Sequence, residues 1–250
     1  MSAPQPLPTW PYPFWIAHRG AGKLAPENTL AAFRLGAQHG YRAFECDVKL
    51  SADGVPFLLH DAKLERTTCG QGLAGELTWS ELSKLDAGSW HSRAYAGEPL
   101  PTLQALARYL RRNHFFLDLE IKPTPGLELH TGQVVAREVK QLWAQADTPP
   151  LFTSFRPEAL QGARDTAPEI PRGLLLDTLW DGWMQVAQAL QCQAVVTHYN
   201  LMSAQVLAQL HTAGLRALVY TVNDPSVAQW LIGLGIDGIV TDAVDKFPPA

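Results

Sequence analysis

The period of the hydrophobic and polar positions switches repeatedly along this chain. Short apolar runs predict strands near residues 14–18, 43–49, 115–121, 151–155, 173–177, 194–198, 216–222 and 238–241. Between most of them apolar residues recur at helical spacing, as in Leu30, Phe33 and Ala37, in Leu103, Leu106 and Leu110, and in Val206, Leu207 and Leu210. Strands alternating with helices in this way predict an α/β fold, a (β/α)8 TIM barrel. Local punctuation agrees. Thr102 is placed to cap TLQALARYL, Asp224-Pro225 to open SVAQWLIGL, and Gly40 and Gly214 to close helices.

The cadence departs from a plain barrel at three places. After the second strand, Asp53-Gly54 predicts a hairpin turn into VPFLLHD. A small insertion of about residues 62–100 follows, partly folded because Thr78 and Glu81 match a capping box. The sequence stops at DKFPPA soon after the eighth strand, so the final helix is expected to be incomplete. Five prolines among the first 13 residues exclude a helix or a central strand there. Residues 1–13 are read as a Pro-rich N-terminal strap that covers the gap left by the missing helix, and residues 14–250 as a single barrel domain.

Composition narrows the classes of partner. With 250 residues, 46% of them hydrophobic and 18% charged, the chain can bury a large core without disulfides or a structural metal. Its formal net charge of -4 and the lack of any Lys/Arg block argue against nucleic acid. No window of about 18 residues is apolar enough for a membrane span, and MSAPQPLPTWPYPFW lacks the features of an export signal. Cys46, Cys69 and Cys192 are odd in number and form no CxxC pair, which suits reduced thiols and a cytoplasmic location. No apolar surface stripe assigns an oligomeric state.

Candidate chemistry emerges from the parity of two strands. In AFECDVKL the apolar Phe44, Cys46, Val48 and Leu50 alternate with Glu45, Asp47 and Lys49; in FFLDLEIK, Leu117, Leu119 and Ile121 alternate with Asp118, Glu120 and Lys122. Barrel strands are buried on both faces, so ionised groups there cost several kcal/mol each unless paired or bound to metal. Glu45, Asp47 and Glu120 offer only hard oxygen donors, a set that selects one divalent cation, Mg²⁺ or Ca²⁺. The alternative is a metal-free ion network with Lys49, Lys122 and Arg19. His18 ends the first predicted strand and His60 the hairpin strand in VPFLLHD, and the two on one rim suit general acid–base work. Arg19 presents a planar fork suited to phosphate. Three carboxylates and a divalent cation leave a charge of about -1, which Arg19 and Lys122 bring to about +1, a match for a monoanionic phosphodiester.

The motifs AHRGAGKLAPENTLAAF, FECDVKLSADGVPFLLHD, LERTTCGQG, LTWSELSKLDAGSW, LPTLQALARYL, LDLEIKP, YTVND and GIDGIVTD, in this order, resemble the glycerophosphodiester phosphodiesterase (GDPD) family. The resemblance implies a TIM barrel with a small insertion over its mouth. It implies that Glu45, Asp47 and Glu120 are metal ligands, that His18 and His60 are the catalytic pair, and that Arg19 and Lys122 contact phosphate. It further implies that His60 deprotonates the attacking group, water or the glycerol 2-hydroxyl, and that His18 protonates the departing alkoxide. Family members often carry Trp before the TVN segment, near the glycerol; this chain has Tyr220 there.

The expected activity is metal-dependent hydrolysis of small glycerophosphodiesters, such as glycerophosphocholine or glycerophosphoethanolamine, to glycerol 3-phosphate and an alcohol. A lysophospholipase D-type activity forming a cyclic phosphate ranks second, because the secreted members that perform it carry export signals and disulfides. A catalytically inactive phosphodiester-binding barrel ranks third, since no expected histidine or ligand is missing. Pro26-Glu27-Asn28-Thr29 reads chiefly as a loop and helix cap, His198 as a locally satisfied histidine, and Cys46 as an outward packing residue.

Overall fold

Parallel strands buried on both faces must find a partner on each edge, and this chain meets that demand by closing its sheet. The computed structural model describes residue 7 and residues 9–249. Its strands are β1 (Trp15–Ala17), β2 (Ala43–Leu50), β3 (Pro56–Leu58), β4 (Phe116–Ile121), β5 (Leu151–Ser154), β6 (Arg172–Leu176), β7 (Ala194–His198), β8 (Arg216–Tyr220) and β9 (Gly238–Thr241). β1 pairs in parallel with both β2 and β9, so every strand except β3 belongs to a closed parallel barrel of eight strands. β3 is the return arm of the expected hairpin, antiparallel to β2, with Gly54 at φ +80° in the turn. All eight predicted strands are present, their ends displaced by a residue or two where ladder hydrogen bonds stop.

The helices are α1 (Leu30–Gln38), α2 (Trp79–Leu82), α3 (Leu103–Arg112), α4 (Glu128–Leu142), α5 (Pro157–Thr166), α6 (Trp183–Ala189), α7 (Ala204–Thr212) and α8 (Pro225–Leu234). All but α2 lie between barrel strands, and among the described residues no helix follows β9. The caps read from sequence are made: Thr102 Oγ1 accepts from Ala105 N–H, and Asp224 accepts from Ser226 and Val227 with Pro225 at the first helical position. The insertion holds α2, and its Leu64, Leu82 and Leu100 are buried with Phe57 of β3 in a small separate core. It docks beside the start of α1, where Glu98 accepts from Ala31 N–H at 3.0 Å. No helix among the described residues is long and apolar enough to cross a membrane.

The strap corrects one expectation. Residues 1–6 and 8 lie outside the described residues, and the part that is described does not lie over the helix gap. Tyr12 shares the inner cluster of the barrel with Ile16, Ala43, Leu151, Ala194 and Leu218 at the floor, edge-on to Trp10 and Phe116. Its hydroxyl donates to Pro149 O at 2.9 Å. The residues after β9 take the gap instead. Phe247 stacks on Trp15 at 4.7 Å, and its carbonyl accepts from Tyr41 Oη at 2.7 Å. A barrel's interior has to be filled by side chains, and an aromatic ring from the N-terminal segment satisfies that demand at the floor.

Candidate active site

The register of β2 against β4 decides what the mouth of the barrel contains. Glu45 lies opposite Asp118 and Asp47 opposite Glu120, so the two rows of inward carboxylates predicted by parity are side by side. Glu45, Asp47 and Glu120 each present an oxygen within 4.8 Å of the others, and all three are buried. Cys46, between them in sequence, faces the outer core as alternation requires.

The ion network weighed as an alternative is present but incomplete. Lys122 Nζ lies 2.8 Å from Glu120 Oε1 and 3.6 Å from Asp47 Oδ1, while Arg19 Nε lies 3.2 Å from Asp47 Oδ2. Arg19 N–H donates to Glu45 Oε2 at 2.9 Å, a backbone contact that the positive φ of Arg19, +50°, makes possible. Glu45 Oε1 and Asp47 Oδ1 are buried and accept no hydrogen bond. Buried carboxylate oxygens left open in this way cost free energy that a cation between them would offset. The three residues therefore fit a hard divalent cation in donor chemistry and in proximity.

Electrostatics separates the carboxylates. Burial, and then Asp47, push the Glu45 carboxyl well above its ordinary range. Burial pushes Glu120 up to about 7 against the opposing pull of Lys122, and it pushes Asp118 up to about 7 although Thr153 Oγ1 donates to it at 2.7 Å. Burial would raise Asp47 too, but Arg19 and Lys122 outweigh it and hold this carboxyl below its usual value. Neutralising this cluster needs positive charge from outside the carboxylate rows.

The two histidines arrive on different elements and have different supports. His18 follows β1, and its Nδ1 lies 2.6 Å from Asp242 Oδ1. A carboxylate only accepts, so Nδ1 carries the proton and Nε2, 3.8 Å from Glu45 Oε2, is the nitrogen left for chemistry. Asp242 is itself held by Asn223, which donates to Oδ2 at 3.0 Å and accepts from Asp242 N–H at 2.8 Å. His60 follows β3, and its Nδ1 lies 2.7 Å from Asp61 Oδ1. Arg66 grips Asp61 at 2.5 Å through Nε and grips Glu27 with both of its terminal nitrogens at 2.8 Å. Glu27 in turn accepts from Arg19 at 2.8 Å, so a chain of charges joins His60 to Arg19. Burial lowers the His60 pKa below the ordinary histidine value, only partly opposed by Asp47.

The loop residues read as caps divide in two. Thr29 does cap α1, accepting from Ala32 N–H. Asn28, at φ +59°, instead clamps Asp47 twice: Nδ2 donates to Oδ2 at 2.7 Å and Oδ1 accepts from the backbone at 3.1 Å. Tyr220 reaches the mouth with its ring edge-on to Phe155 at 5.7 Å and its hydroxyl donating to Leu176 O at 3.1 Å. His198 accepts from Asn200 N–H at 3.3 Å and stacks on Tyr199, a local arrangement as expected. Sequence reasoning assigned no role to Asp242, Asn223, Asp61 or Arg66. Asp61, Asn223 and Asp242 sit just beyond strand ends within motifs already singled out, and that position was the available signal; Arg66 lies in the insertion, within LERTTCGQG, and carried no such signal.

His18, Arg19, Glu45, His60, Glu120, Lys122 and Tyr220 all line one cavity of about 170 Å³ at the C-terminal ends of the strands; Asp47 stands two residues beyond Glu45 on β2. Residues 18–246 match the Glycerophosphoryl diester phosphodiesterase family. Bacillus subtilis YhdW is 35% identical over 236 residues, 92% of this chain and 94% of that one. A glycerophosphodiester phosphodiesterase of Caldanaerobacter subterraneus is 30% identical over 230 residues, 91% and 93% of the two chains. An Oleispira antarctica phosphodiesterase, solved with the product sn-glycerol-3-phosphate, superposes with a TM-score of 0.88 at 37% identity, covering 94% of this chain and 95% of that one. Similarity that runs from His18 to Lys246 takes in every barrel strand after β1 and every residue of this mouth, and the chain belongs to the glycerophosphoryl diester phosphodiesterase family of enzymes.

Proposed function

We propose that this enzyme hydrolyses glycerophosphodiesters such as glycerophosphocholine and glycerophosphoethanolamine to glycerol 3-phosphate and the free alcohol, with His18 and His60 as acid and base and with a divalent cation. The observation that carries the reading is the pairing, in one cavity, of two carboxylate-supported histidines with buried carboxylate oxygens that accept no hydrogen bond. The product bound in the Oleispira antarctica relative supports the same outcome of the reaction.

Arg19 and Lys122 bind the phosphate, and Tyr220 borders the glycerol. Glu45, Asp47 and Glu120 would hold Mg²⁺ or Ca²⁺, whose positive charge serves to offset the charge that develops on the phosphoryl oxygens. His60, its pKa lowered by burial, enters the reaction neutral and takes the proton of the attacking hydroxyl on Nε2. Asp61 accepts from Nδ1 and stabilises the imidazolium that results. As the phosphorus–oxygen bond to the alcohol breaks, protonated His18 gives its Nε2 proton to the leaving alkoxide, while Asp242 keeps the ring oriented. The proton gained by one histidine and lost by the other returns through solvent, so the cycle balances.

The test is glycerol 3-phosphate release from glycerophosphocholine by purified protein, with and without EDTA and with Mg²⁺ or Ca²⁺ added back. Release that EDTA stops and one ion restores is the expected result. EDTA-insensitive release would remove the cation from the mechanism, and a persistent cyclic phosphate in the phosphorus NMR spectrum would replace hydrolysis with transfer to the glycerol hydroxyl.

A further inference from the structure

The mouth contains a cation that the reaction just described does not use. Lys49 is the third charged inward residue of β2, after Glu45 and Asp47, and only 5% of it is exposed. Among the described residues its ammonium has no carboxylate within 4.0 Å, and its one hydrogen bond is a long one, 3.4 Å, to Lys122 O. Asp47, Glu120 and Asp61 attract it only from beyond ion-pair distance, and a charge buried without a direct partner costs free energy that an anionic ligand would offset.

Lys49 lines a second cavity, of about 520 Å³, that adjoins the first and shares Glu120, Lys122, Phe155 and Leu175 with it. Arg156, Asp177 and Trp180 form its outer part. A diester has two arms. With the glycerol phosphate in the smaller cavity, beside the histidines, the alcohol arm has this larger space to occupy. Its charged lining comprises Lys49, Lys122 and Arg156 against Glu120 and Asp177, three cations against two carboxylates. Lys122 is already matched by Glu120 at 2.8 Å, so the unmatched charge at the inner end is that of Lys49.

We infer that this cavity is the alcohol subsite, and that Lys49 selects diesters whose alcohol carries a second anionic group, a carboxylate or a phosphate. The inference rests on the diesterase reading above and adds to it which of the diesters is preferred. A cationic ethanolamine or choline arm would bring only its positive charge toward Lys49; a serine arm adds a carboxylate to its ammonium, and a phosphorylated polyol arm brings a phosphate. One charge-assisted hydrogen bond gained in this way is worth about 1.5–3 kcal/mol, or roughly 10–100-fold in kcat/KM.

Two matched pairs of substrates test it. Glycerophosphoserine and glycerophosphoethanolamine differ by one carboxylate, while glycerophosphoinositol 4-phosphate and glycerophosphoinositol differ by one phosphate. The expected result is a kcat/KM at least about tenfold higher for the anionic member of at least one pair, the favoured pair saying which anion the subsite takes. Lys49→Gln collapses that ratio toward one, and Lys49→Arg restores most of it. Ratios of one or below in the wild-type enzyme, with all four diesters cleaved, overturn the inference and leave the diesterase reading intact, whether or not any variant folds. An equal loss on both members of a pair in Lys49→Gln overturns it also, by placing Lys49 on the shared phosphate. Failure to release glycerol 3-phosphate from any of the four would overturn the diesterase reading, and this inference with it.

Discussion

The two ends of the barrel are built from the same strands and obey opposite rules. At the floor, Ile16, Ala43, Leu151, Ala194 and Leu218 share with Tyr12 an apolar plug whose polar hydroxyl is satisfied by Pro149 O. At the mouth, within about two residues along the same strands, four carboxylates and three cations crowd together and buried oxygens are left unsatisfied. The floor spends nothing on chemistry, and the mouth gives up stability to hold charges ready. A change at one end should therefore move activity or stability, and seldom both.

The largest effects belong to the histidines. His60→Ala and His18→Ala should each lower kcat by about 10²–10⁴-fold, measured under saturating substrate, with thermal unfolding little changed. Because His60 must be neutral to accept a proton, kcat/KM should hold as pH falls past the ordinary histidine value near 6.5 and drop only below it, through the lowered pKa of His60. An acid limb above that value would contradict His60 as the base. Next comes Glu45→Gln, expected to cost about 10³-fold in kcat. The variant replaces a carboxyl that burial already pushes well up, so urea unfolding at neutral pH should show it as stable as the parent or more so. Marked destabilisation would show that Glu45 helps hold the fold and would blur the contrast between the two ends.

At the floor the signs reverse. Leu218 is wholly buried, and Leu218→Ala should cost about 2–5 kcal/mol by urea unfolding while kcat stays at the parent value. The smallest effect is expected at Arg66, nearly half exposed, where Arg66→Ala should cost about 1 kcal/mol or less. Its signature is the pH dependence. Arg66 first, and His60 after it, hold the Asp61 carboxyl down at about 2. The stability this lends is complete above the unfolded Asp value of about 3.9 and is lost as pH falls through about 2. In the variant that slope should flatten, and an unchanged slope would remove Arg66 from the support of His60.

Much of this contrast could be read before any coordinates. Strand alternation alone put Glu45, Asp47, Asp118 and Glu120 inside and Cys46 outside, because period two leaves a strand no other choice. The helix caps at Thr102 and Asp224 were equally local and equally legible. What escaped were pairings between residues far apart in sequence. Asp242 meets His18 across 224 positions, Arg66 meets Glu27 across 39, and Tyr12 enters the floor from a segment whose prolines announced only that it was extended. Lys49 was visible as an inward residue, and sequence parity offered it as a counter-ion. That its neighbours already have Arg19 and Lys122, leaving its ammonium over, follows only from distances.

The contact between His18 and Asp242 also sets a timetable. The first strand of the barrel can close only against the last, and the residues that seal the seam, Thr241, Asp242 and Phe247, are the last described parts of the chain to leave the ribosome. Until then β1 and β8 each hold an open edge, the slow and exposed phase that long-range pairing imposes on folding. The Asp242 support of His18 is absent for the same interval, so nascent chains stalled short of β9 should carry a folded hairpin and insertion yet turn over no diester.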